Sequence, residues 1–181
     1  MLNKKMLLSV LIIGVVATVA GAGTWAAFSD SETSTGNTFT AGTLDLKLNG
    51  ADGISGFNIG NVAPKDQGTA GTITIKNAGT ISGDLIVSSA NIVENENDMN
   101  DAEQAVDSTP NGDLGSAITI SIFDGTNLLY GGSVAGLIDA NLGTLAGSGE
   151  KTLTINYEVS DAGNEIQSDV LTFDLVFTLN Q

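Results

Sequence analysis

The sequence contains no cysteine, no histidine and no arginine. Without cysteine it has no disulfides, no thiolate chemistry, no Cys-rich zinc site and no lipobox of a bacterial lipoprotein. With histidine missing too, there is no Ser–His or Cys–His nucleophile pair and no HExxH metal site. Any catalysis would rest on carboxylate or lysine chemistry. Six lysines face 21 acidic residues, for a formal charge of -15. A surface this acidic repels phosphate backbones and anionic headgroups, which argues against nucleic acid or a lipid surface as partner. Aromatic residues are few, with one Trp and two Tyr, so a sugar-stacking site is disfavoured. No Asn-x-Ser/Thr sequon is present, which argues against N-glycan shielding.

Glycine is plentiful, at 23 residues, and Thr, Ser, Asn, Val and Ile fill much of the remainder. This mixture, cut by frequent Gly and Asn turn signals, points to an all-β sandwich rather than to helices. A length of 181 residues accommodates one domain of ordinary size or two small ones.

The first 26 residues read as an export signal. Lys4 and Lys5 form a basic n-region, Met6–Ala20 an apolar h-region, and Thr24-Trp25-Ala26 places small residues at the -3 and -1 positions of a cleavage site. Two rivals are a retained membrane helix and a pilin-type leader. The uncharged run is long enough for the first, but its end is weakened by Gly21 and Gly23 and no basic stop-transfer cluster follows. The second needs a cut before the apolar run, and nothing between Lys5 and Leu7 resembles one. Cleavage between Ala26 and Ala27 is expected, with membrane contact only before it. Removing Lys4 and Lys5 then takes the charge from -15 to about -17.

Beyond Ala27 the apolar period is two. Strands are expected at Thr43–Leu48, Gly71–Lys76, Asp84–Ser88, around Ile118, Ile120 and Ile122, at Lys151–Val159 and at Val170–Asn180. Weaker strands are expected at Ile54–Val62, Leu128–Gly131 and Leu137–Leu145. The sum suggests a single two-sheet sandwich of jelly-roll or immunoglobulin type over residues 43–181, preceded by a polar segment at 27–42. One stretch, Asn91–Gly115, is acidic and lacks alternation. It reads as a surface insertion holding a short helix capped by Asn97 or Asp98. Asp98, Asn100, Asp101, Glu103 and Asp107 are hard oxygen ligands there, a weak Ca²⁺ candidate because the spacing and Gly of an EF-hand loop are missing. No other cofactor is expected.

Residues 23 to 48 carry a family likeness. Gly23-Thr24-Trp25-Ala26-Ala27-Phe28-Ser29-Asp30, followed by Thr38-Phe39-Thr40-Ala41-Gly42-Thr43-Leu44-Asp45-Leu46, resembles the junction and first-strand motif of TasA/camelysin-type secreted matrix-fibre proteins and archaeal bundling-pilus subunits. Gly71–Leu85 and Asp161–Gln181 are similar to the family as well. The resemblance implies a dedicated signal peptidase acting at Thr24, Ala26 and Ala27. It also implies a jelly-roll subunit that self-associates head-to-tail into extracellular fibres of a biofilm or cell surface. The freed segment Ala27–Gly36 would be the donated strand, with Phe28 as apolar anchor, Ser29 and Asp30 beside it, and Thr33 and Thr35 supplying β-propensity. The alternative is a monomeric surface-associated binding module. A secreted peptidase, as camelysin-type members are labelled, is the third reading and has no His ligand to support it.

Overall fold

Alternation of period two makes a strand apolar on one face, and a sheet built from such strands must bury that face against another layer. The computed structural model describes residues 3–22, 40–54 and 56–181. Residues 1–40 and 41–181 form two separate compact units. In the first, α1 (Lys4–Ala22) carries exposed apolar side chains, among them Leu7, Leu11 and Ile13. Its length is about 28 Å at ~1.5 Å per residue. No helix among the described residues is long and apolar enough to cross a membrane.

The second unit holds β1 (Leu46–Leu48), β2 (Gln67–Asn77), β3 (Gly83–Asn95), α2 (Asp101–Gln104), α3 (Leu114–Ala117), β4 (Ile118–Asp124), β5 (Asn127–Ser133), β6 (Ala140–Leu145), β7 (Glu150–Val159) and β8 (Val170–Asn180). They form two antiparallel sheets, one ordered β1-β2-β7-β4-β5 and the other β6-β3-β8. The core lies between them. Ile75, Ile122 and Leu153 from the larger sheet and Leu85, Val87 and Leu142 from the smaller are all completely buried. Each such side chain contributes about 1.5–3 kcal/mol by leaving water. A second cluster of Leu114, Ala117, Val159 and Ile166 closes one end.

The sequence locates the main strands and their inward faces, and departures from it have local causes. β1 covers only Leu46–Leu48, because Thr43 and Asp45 accept bonds from the turn instead: Thr80 N reaches Thr43 O at 2.8 Å and Ala78 N reaches Asp45 O at 2.6 Å. That approach requires Gly79, where any Cβ would collide with the Thr43 carbonyl. Residues 54–62 form no strand where described. Gly56, Gly60 and the left-handed Asn61 (φ 54°) break the ladder, so the apolar residues Phe57 and Ile59 are laid over the sandwich. β6 begins at Ala140 rather than Leu137, since Asp139 is left-handed at φ 47°.

β3 extends seven residues past Ser88, through Asn95. A register shift between Ala90 and Val93, with Asn91 left-handed at φ 50°, breaks side-chain alternation while the pairing with β8 resumes. Asn91 Nδ2 donates to Asp174 Oδ2 at 2.7 Å across that shift. The insertion therefore starts near Glu96, not Asn91. Its helix is α2, capped by Asn100, whose Oδ1 accepts from Ala102 N at 2.9 Å and Glu103 N at 3.0 Å. Asn97 and Asp98 lie too far upstream to cap it.

Leu153→Ala should lower stability by about 2–5 kcal/mol, because it opens a cavity in a closed core. Leu175→Ala, on the half-buried face of β8, should cost roughly 1 kcal/mol. Urea unfolding of the two purified variants measures both.

Candidate functional site

Five strands on one side face three on the other, and the imbalance falls beside β8. β8 is the outermost strand of its sheet, so one whole edge of its backbone has no partner strand among the described residues. Its inward residues, such as Phe173, Leu175 and Phe177, are only half-buried despite perfect alternation. They border a groove of about 670 Å³. The floor is the larger sheet, through Ile73, Ile120 and Ile155, and the far wall is Phe57 and Ile59. Residues of both parities from Leu171 to Phe177 line it, so the strand's edge as well as its inner face opens onto the groove. Phe57 sits against Gly71, the residue that follows the β2 register shift, where a Cβ would strike its ring. Phe57 and Ile59 stay 37% and 40% exposed, so the wall they make leaves the groove open.

A second cluster stands at the end of the β3–β8 ladder, where Asn95 pairs with Val170. One carboxylate oxygen each from Glu96, Glu103 and Asp169 lie within 4.8 Å of one another. Glu96 follows β3, Asp169 precedes β8, and Glu103 comes from α2 and is completely buried. Ser168 Oγ donates to Glu103 Oε2 at 2.6 Å. Asp169 Oδ2 accepts from the backbone N–H of Asp113 at 2.6 Å and of Leu114 at 3.0 Å. Burial, and then the charges of Asp169 and Glu103, push the Glu96 carboxyl up to about 7.

Of the five cation candidates read from the sequence, only Glu103 enters this cluster. Asp98 and Asp101 are exposed. Asn100 spends its oxygen on the α2 cap and its amide on Gln167 Oε1, at 2.8 Å. Asp107 is buried but satisfied, accepting from Thr109 N at 2.7 Å and Thr109 Oγ1 at 2.9 Å. Glu96 and Asp169 were invisible to spacing arguments, because only the β3–β8 register makes neighbours of positions so far apart in the chain. Thr24, Ala26, Ala27, Phe28, Ser29, Asp30, Thr33 and Thr35, the cleavage and donor residues, lie outside the described residues.

Against known families, the chain matches the one described as camelysin metallo-endopeptidase, over residues 1–181. It belongs to that family. No curated protein matches the chain. The camelysin description implies a catalytic metal, and the carboxylate cluster does not fit one. Peptidase zinc is held largely by histidine and keeps one position open for water. This chain has no His, and the free oxygens of the cluster are shut off from solvent and so from a substrate.

The Thr109 backbone N–H, and then its hydroxyl, hold Asp107 below its ordinary value of 3.8. The stability this supplies is present above about pH 4 and lost as pH falls through the lower folded value. Thr109→Val removes the hydroxyl donor. It should therefore destabilise the protein at pH 6, with the difference from the parent shrinking toward pH 2 in urea titrations.

Proposed function

We propose that the chain is a secreted structural subunit, without catalytic activity, that polymerises head-to-tail by donor-strand complementation. The product is an extracellular fibre of a biofilm matrix or cell surface. The observation that carries this reading is the edge of β8, unpaired among the described residues, above an apolar groove. Such an edge is ordinarily protected by lysine, proline or a bulge on the strand itself. β8 (VLTFDLVFTLN) has neither residue, and its one charge is Asp174.

The occupant is residues 27–36 of a second copy, released when the signal is cut between Ala26 and Ala27. Ten residues at ~3.3 Å each reach about 33 Å, close to the length of β8, which has 11. Added there, the segment hydrogen-bonds the open edge, with Phe28 entering the groove. The smaller sheet gains a fourth strand and the sandwich becomes jelly-roll-like in its layers. Because every subunit gives one strand and receives one, growth is linear and does not close on itself. Family membership supports a secreted, matrix-associated setting. The absence of His and Cys supports a non-enzymatic role.

Deleting residues 27–36 should leave a folded protein, by circular dichroism, that forms no fibres in negative-stain microscopy. The excised segment, supplied as a peptide, should raise the melting temperature of that variant, and the Phe28→Ala peptide should do so far less. Fibres formed by the deletion variant would sink the assignment.

A further inference from the structure

We propose that Glu96, Glu103 and Asp169 form a structural site for a hard divalent cation, calcium foremost, which fastens the acidic insertion to the end of the smaller sheet. The site stands apart from the groove and does not depend on strand donation.

Among the described residues, four buried side-chain oxygens lack any hydrogen-bond partner: both of Glu96, Oε1 of Glu103 and Oδ1 of Asp169. All four belong to this one cluster. Buried polar atoms are ordinarily paired, and an unpaired buried carboxylate is among the costliest arrangements a protein can hold. The chain's own cations do not relieve it. There is no Arg, and the lysine ion pairs among the described residues go to Asp45, Asp52, Asp161 and Asp124. None of these ion pairs reaches the cluster, which leaves it open to a cation from outside.

The spacing suits a metal ion. Calcium takes oxygen ligands at ~2.3–2.6 Å, so two oxygens on opposite sides of it are separated by about 4.8 Å. The cluster's oxygens lie within that limit. The outer oxygens are already anchored, Glu103 Oε2 by Ser168 and Asp169 Oδ2 by two backbone N–H groups, which leaves the inner ones free to ligate. Asn97 Nδ2, donating to Ser168 O at 2.7 Å, ties the chain after β3 to the residue between Gln167 and Asp169. The donor set is all oxygen, which disfavours zinc and copper. Magnesium demands near-octahedral geometry and keeps several waters, whereas these oxygens are closed to solvent and come from three separate elements, which suits calcium's looser coordination.

The test is calorimetric titration of the purified, chelator-stripped protein with CaCl₂ and, separately, MgCl₂, alongside melting temperature. One calcium per chain should bind, the melting temperature should rise with calcium, and magnesium should act more weakly. Glu103→Gln and Glu96→Gln should each weaken calcium binding by about tenfold or more, through loss of ligand charge. Glu96 is only half-buried, so its variant is expected to keep the fold, which circular dichroism checks. Asp101→Asn, at an exposed acid of the same insertion, should bind as the parent does. Absence of binding heat and of any thermal shift up to millimolar calcium would overturn the proposal. So would an equal loss in Asp101→Asn, which would mark diffuse surface charge, or a magnesium response matching that of calcium.

Discussion

The pairing of β3 with β8 governs the rest of the architecture. It runs antiparallel from Asp84 opposite Asn180 to Asn95 opposite Val170, the length of the smaller sheet. Near the Asp84 end it carries Leu85 and Val87 into the core. On its outer flank β8 has an edge unmatched among the described residues, and at its far end Glu96 and Asp169 are brought face to face. The groove and the carboxylate cluster are thus two results of a single register. A slip of one residue would reverse the inward face of β8 and pull the two acids apart.

How much of this can be read from the chain depends on which interactions are local. Strands with strict alternation, β2, β7 and β8, are legible because period two is a property of neighbouring residues. The far half of β3 is not, because the irregularity at Asn91 scrambles side-chain order while leaving the ladder intact. The segment after Ile54 looks like a strand by composition, yet its glycines and Asn61 turn it into a cover for the groove. The acidic stretch advertises Asp98 and Asp101, which face solvent, and says nothing of Asp169, which tertiary pairing delivers. That β8 is apolar on one face is legible; that this face stays half-open is not, since it depends on how many strands oppose it.

Family kinship and residue chemistry pull in different directions here. The camelysin description names a metal-dependent peptidase, whereas the residues supply neither imidazole nor thiolate. A fold is shared more widely than a reaction, and activity resides in particular side chains. The acids that do converge turn their unpaired oxygens away from solvent, and their outer oxygens are anchored by Ser168 Oγ and two backbone N–H groups.

Scarce lysines, and where they stand, bear on how long such a chain survives outside the cell. From residue 41 onward they are Lys47 in β1, Lys76 in β2, Lys151 in β7 and Lys65, which alone stands in a turn, left-handed at φ 67° and paired at 2.9 Å with Asp161. Proteases that cut after basic residues need an extended, accessible segment, and a strand locked in a sheet withholds it. With no arginine anywhere, the sandwich offers such enzymes a single exposed turn. Where so few cations have been placed decides how little such enzymes have to cut.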